Sequence, residues 1–137
     1  MKIQLVGNLN REEIEHELKH AQLVEEGDYL LYEKVERISV DDGYDIKFIP
    51  LHNVMYVESM NGTQSVHTAE TIYHTKQSLK ALELEPLFRI NKSVLVNLNQ
   101  IEDVKVKLNM RYSLKVKGHW LDVNRTYYNS FKERLGL

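Results

Sequence analysis

Two stretches of this 137-residue chain carry side chains able to do chemistry. The first is Phe88 to Asn97, FRINKSVLVN, where Arg89, Asn91, Lys92 and Ser93 lead into the run Val94, Leu95 and Val96. The aliphatic, β-branched run reads as a buried strand, so polar and basic groups stand at the mouth of a rigid element. Such groups favour an anionic ligand, for instance a phosphate backbone; the competing reading is a strand with a solvated lead-in. The second stretch is His16-Glu17-Leu18-Lys19-His20. It fits the H-E-x-x-H pattern, in which two His one helical turn apart hold zinc and the Glu activates a water, and so raises a zinc-dependent hydrolase as an alternative. Little chain precedes it to build a substrate-holding sheet, and no nearby downstream residue offers a third ligand. Solvated His on an amphipathic helix is the preferred reading, and neither a metal nor another cofactor is expected.

The elements that must position these residues follow from composition and pattern. The length suits one domain with an appendage. Cysteine is absent, no apolar run approaches the roughly 20 residues that cross a bilayer, and the N-terminus lacks a signal-peptide core, so a cytoplasmic location is expected. Charge is unevenly spread: residues 1–40 hold 5 Lys/Arg against 9 Asp/Glu, residues 41–88 hold 3 against 7, and residues 89–137 hold 10 against 4. The basic part is the C-terminal third, which contains the FRINKS stretch.

Met1 to Gly7 alternates as a short strand, Asn8-Leu9-Asn10 supplies a turn and cap, and residues 11–25 predict a helix with an acidic outer face that stops at Gly27. From Tyr29 the pattern is β. Strands Tyr29–Val40 and Tyr44–Leu51 flank the turn Asp41-Asp42-Gly43, and Val54–Glu58 and Ser65–Thr75 flank a loop with Asn61-Gly62 that offers Asn61, Thr63 and Gln64 to solvent. Gln77–Glu85 predicts a short helix stopped by Pro86. Strands Ile101–Leu108, Arg111–Val116 and His119–Val123 follow, separated by Asn109-Met110 and Lys117-Gly118, and Thr126–Leu137 predicts a helix whose aromatic face packs on a core. Short strands joined by tight turns give a mainly β, antiparallel architecture with short helices. Residues 1–35 read as an acidic strand-helix extension that serves self-association or partner binding, since an acidic helix is repelled by phosphate.

The ordered set VMYVES (Val54–Ser59), Ser78-Leu79, FRINKS (Phe88–Ser93), Val96-Asn97, Ile101 and Leu121-Asp122-Val123-Asn124-Arg125 before Tyr127 resembles the LytTR-type DNA-binding domain of bacterial transcription regulators. The resemblance covers residues 36–137. It implies an elongated domain of several small sheets that reads double-stranded DNA through loops in successive major grooves, with no catalytic residue and no small-molecule substrate. It further implies base contacts at Gln64, Lys92 and Arg125. Arg or Lys can donate to guanine O6/N7 and Gln can pair with adenine N6/N7, so each residue type suits that task. Asn61, Arg89, Asn91, Ser93 and Asn124 are assigned to phosphate or to holding the loops. For Arg89 an internal bond that fixes the strand stands beside that role.

Two departures limit the transfer. Family members commonly carry a phosphorylated receiver domain upstream, and roughly forty residues leave no room for one. Asn124 stands where Ser is usual and Gln64 is one of several types at its position, so the target sequence does not transfer from relatives. The expectation is a freestanding regulator, acting as a homodimer on repeated half-sites and restrained by a membrane partner protein. The other reading from the same residues is a protein-interaction module built on the acidic helix.

Overall fold

Met1–Val35 and Glu36–Leu137 form separate units in the computed structural model, which describes residues 1–7, 9–32, 36–109 and 111–137. In the first unit β1 (Lys2–Val6) is the central strand of a parallel sheet. The crossover helix α1 (Arg11–Glu17) leads to β2 (Gln22–Leu23) on one flank, and β3 (Tyr29–Tyr32) lies on the other. Asn10 starts the helix by accepting the N–H groups of Glu12 and Glu13 at 3.1 and 3.3 Å, which satisfies donors that no helical carbonyl can reach.

The helix predicted through residue 25 ends at Glu17, where Leu18 turns out with ψ 70°. Strand pairing takes over: Gln22 and Val24 donate to the carbonyls of Met1 and Ile3 at 2.9 and 3.0 Å, and Leu23 is buried like Ile3. A β-carbon on Gly27 would lie 2.8 Å from the Lys2 carbonyl oxygen, so this glycine lets the backbone cross close to β1 and does not act as a helix stop. Because α1 ends at Glu17, His20 falls in the turn beyond it. The two His of the H-E-x-x-H pattern therefore do not share one helical face. Among the described residues no group of three or more His, Asp or Glu is placed to hold a metal.

The predicted strand Tyr29–Val40 crosses residues 33–35, which lie outside the described residues; on either side of them stand β3 and β4 (Arg37–Asp41), in different units. In the second unit, β4 is followed by β5 (Ile46–Pro50), β6 (Val54–Met60), β7 (Thr63–Thr68), β8 (Ile72–Thr75), the single-turn helix α2 (Leu79–Leu82), β9 (Leu87–Asn91) and β10 (Val94–Asn97). These strands form one antiparallel sheet of order β5-β4-β8-β7-β6-β10-β9. The single strand predicted over Ser65–Thr75 is two, because Thr68 and Thr71 bond each other and fold the chain back between β7 and β8. The Asn61-Gly62 turn forms as predicted, with φ of 52° and 78°, the left-handed pair that matches the twist of a two-residue hairpin.

A second sheet, β11-β12-β13, comprises Asp103–Val106, Tyr112–Val116 and His119–Asp122, and α3 (Tyr128–Leu135) closes the chain. The predicted Asn109-Met110 turn includes Met110, which lies outside the described residues. Period-2 alternation along β10, and along β6 after an irregularity between Val54 and Tyr56, sorts side chains into two cores. Val57 and Leu95 join Val54, Val66, Leu79 and Leu82 under α2, whereas Tyr56, Val94 and Val96 join Ile90, Leu114, Val116 and Phe131 between the second sheet and α3. β10 is thus buried on both faces, which explains its unbroken apolar run. Among the described residues no helix is long and apolar enough to cross a membrane.

Phe131 is fully buried and seats α3 on Tyr112. Phe131→Ala should destabilise the chain by about 3–5 kcal/mol, against about 0.5 kcal/mol or less for exposed Asn129→Ala, as measured by urea unfolding. A second expectation concerns pH. His67 lies flat on Tyr56, centroids 4.0 Å apart, and burial, with the nearby positive charge of Lys117 and of His119 and His74, holds its imidazole down to about 4. With the folded value below the unfolded one near 6.5, the unfolded chain binds the extra proton first. Stability contributed by neutral His67 should therefore be present above about pH 6.5 and be lost as pH falls towards 4. Unfolding midpoints at pH 7 and pH 5 should differ less in His67→Phe, which keeps a ring on Tyr56 but cannot titrate.

Candidate nucleic-acid interface

The turn between β9 and β10 is built by Asn91. Its Oδ1 accepts the Ser93 N–H at 2.8 Å, and its Nδ2 donates to the Asp122 carbonyl at 3.1 Å. Two residues on, the Asn124 N–H donates to the Ile90 carbonyl at 2.7 Å, and Val123 is tied to Tyr112 at 2.9 Å. The hairpin tip is thereby fastened to the segment that links β13 to α3. Asn124 also caps the turn it opens, with its Oδ1 accepting the Thr126 N–H at 3.1 Å. Lys92 and Arg125 stand exposed on these two fastened loops, and among the described residues neither side chain has a hydrogen-bond or ion-pair partner.

A third loop joins them from β6 and β7. The Ser59 N–H donates to the Ser93 carbonyl at 2.7 Å, and its Oγ donates to Gln64 Oε1 at 2.7 Å. The Gln64 Nε2 donates to the Gln77 carbonyl, and the Gln77 amide in turn reaches Ser39 Oγ at 2.6 Å. Gln64 is thus 4% exposed with both amide ends engaged, so it is not offered to solvent as the loop pattern suggested; it lies within β7, pointing inward beside the turn. Asn61 stands exposed at the apex of that turn.

The polar residues of FRINKS divide by geometry. Asn91, Lys92 and Ser93 gather at the tip with Asn124 and Arg125, whereas Arg89 turns back and pairs with Glu83 at the end of α2, Nε to Oε1 2.5 Å. That contact is an ion pair and not the internal hydrogen bond considered for Arg89, since its buried Nε has no hydrogen-bond partner among the described residues. Beside the tip runs a groove of about 570 Å³ lined by Asn91, Asn109, Arg111, Asp122, Asn124, Arg125 and Tyr128. Arg111, an exposed cation on the edge of β12, was missed by sequence reasoning; only its place in the basic third singled it out. Asp122 stands in the same groove, its carboxylate accepting from Ser113 Oγ at 2.6 Å and lying 3.7 Å from Lys107 Nζ. Chemically the surface offers donors of positive charge on loops fixed by main-chain bonds, an arrangement suited to phosphates and to the acceptor edge of guanine.

Comparison with known proteins bears on the same region. The sequence model of the LytTr DNA-binding domain matches residues 44–136. The transcriptional regulatory protein LytR of Staphylococcus aureus (strain N315) is 28% identical over 105 residues, which are 73% of this chain and 42% of LytR. The sensory transduction protein LytT of Bacillus cereus is 25% identical over 130 residues, 91% of this chain and 50% of LytT. The chain thus spans half or less of the length of these relatives. A solved LytTr DNA-binding domain from Bacillus cereus superposes with a TM-score of 0.68 over 77% of this chain and all of that one, at 23% identity, a likeness of fold. With small antiparallel sheets, short helices and a match over more than half its length, the chain belongs to the LytTR family of DNA-binding domains.

Proposed function

We propose that the chain is a non-enzymatic, sequence-specific transcription regulator of the cytoplasm that reads the major groove through the loops around Lys92 and Arg125. The observation that carries this reading is a pair of cations, without partners among the described residues, on two loops bonded to each other through Asn91–Asp122 and Ile90–Asn124. Lys92 and Arg125 are assigned to guanine O6/N7, while Asn61, Asn91, Ser93 and Asn124 hold the loops or meet phosphate. Gln64 could read adenine only by leaving Ser59 and Gln77, so its assignment here is to brace the Asn61-Gly62 turn. Pairing of two copies on repeated half-sites and restraint by a membrane partner protein belong to the same reading. The acidic first unit is assigned to a protein partner, because its charge disfavours phosphate. A hydrolase built on His16, Glu17 and His20 draws no support from α1, which ends before His20.

The test is a titration of each folded variant against its selected site, point variants of that site and random DNA at two salt concentrations. Lys92→Ala and Arg125→Ala should each cost about 1–3 kcal/mol on the selected site and relax preference at one position, with a smaller loss on random DNA. Gln64→Ala should lower stability and weaken selected and random DNA alike. Equal losses on both DNAs for Lys92→Ala and Arg125→Ala would show purely electrostatic contacts and end the direct-readout assignment.

A further inference from the structure

The seven-stranded sheet has two edges with different surroundings. The β9 edge is covered, since Ile90 accepts from Asn124. Among the described residues no strand pairs with the outer side of β5, where Tyr44, Ile46 and Phe48 are 96%, 71% and 61% exposed. An open strand edge with large apolar side chains is a template for another strand.

Hydrogen-bond alternation tells which groups point outward. Leu51 donates to Glu36 and Asp42 donates to Asp45 at the two ends of the β4–β5 ladder, so Ile49 and Lys47 face β4 with their backbone groups. The N–H and C=O of Ile46 and Phe48 then face away from the sheet. A second β5 running antiparallel could meet them in several registers, and side-chain chemistry selects one. With the two-fold axis at Lys47 the lysines would face each other; with the axis at Phe48, Ile46 would face Pro50, which has no N–H. With the axis at Ile46, Ile46 meets Ile46, Tyr44 meets Phe48, and Asp45 meets Lys47 on both sides. One register thus supplies two aromatic pairs and two opposite-charge pairs from a five-residue segment, Tyr44-Asp45-Ile46-Lys47-Phe48. Lys47 already leans on Asp42 of its own turn at 3.2 Å, which places its ammonium beside the strand end where the second Asp45 arrives.

From this self-complementarity we infer that two copies of the chain pair through β5, antiparallel about Ile46, and extend the sheet across a two-fold axis. This goes beyond the DNA reading and rests on it only for its use on DNA, where a two-fold pair would present its reading loops to inverted half-sites. The pairing itself needs no DNA.

The test is sedimentation velocity of the full chain over a concentration series without DNA, with circular dichroism melting to verify folding. The unaltered chain should form a dimer. Lys47→Asp and Asp45→Lys should each raise its dissociation constant roughly tenfold, because two attractive pairs become repulsive. The double variant Lys47→Asp with Asp45→Lys should restore it to within about threefold, because the pairs re-form with their signs exchanged. Ile46→Pro removes an outward N–H together with the Ile46 side chain at the axis and should give a monomer; should it fail to fold, the charge cycle decides alone. A chain that stays monomeric, a dimer indifferent to both single changes, or a double variant as weak as the single ones would overturn the pairing. Titration of the monomeric variants on a single half-site keeps the DNA reading separate, since its failure would appear there and not in the sedimentation series.

Discussion

The second unit depends on how two sheets that share no ladder are held in register. Burial supplies the larger energy: Ile90, Val96, Leu114, Val116 and Phe131 are fully removed from water in one cluster. Hydrophobic attraction is non-directional, however, and would tolerate sliding of one sheet over the other. Direction comes from the Asn91 amide on the Asp122 carbonyl and from the Asn124 N–H on the Ile90 carbonyl. Each such bond contributes only about 0.5–1.5 kcal/mol net, but it is directional and weakens steeply as the N–H turns away from the carbonyl, so it fixes a position that packing alone leaves loose. The loops that carry Lys92 and Arg125 inherit that fixed position.

Local chemistry and hairpin pairing were legible in the sequence, and pairing between strands distant in the chain was not. Asn61-Gly62 and Lys117-Gly118 announce left-handed turns, and Val94-Leu95-Val96 announces a strand buried on both faces. The parallel ladder of β1 with β2 and β3 leaves no such mark, because residues 22–23 and 29–32 pair with a strand some twenty to thirty positions away and follow no period of their own. Gln64 shows the same limit at the site. Its polar side chain beside a turn suggests exposure, and only the approach of Gln77 from the next strand connection gives it a buried partner. Arg89 likewise reads as a free cation until α2 brings Glu83 next to it.

The basic third of the chain is less uniformly basic in space than in sequence. Arg134 is paired with Glu85, Arg89 with Glu83, and Lys107 approaches Asp122, while Lys132 and Lys105 lie over the rings of Tyr112 and Trp120. Arg125 and Arg111, by contrast, line one groove, with Lys92 on the adjoining tip, and among the described residues their side chains have no partner. Folding therefore sets Arg111 and Arg125 in one groove with Lys92 on the adjoining tip, beside the carboxylate of Asp122.

The fastening bonds at this site use main-chain atoms together with Asn91 and Asn124, and none of them uses the side chain of Lys92 or Arg125. In the proposed reading, presentation and recognition are thus carried by different atoms. If Lys92 and Arg125 read bases as proposed, exchanging these two surface side chains changes what the chain recognises while its folding and the bonds that fasten its loops stay as they were. Divergence of such proteins towards new operators, in nature or by design, then becomes a matter of one or two codons and requires no remodelling of the framework.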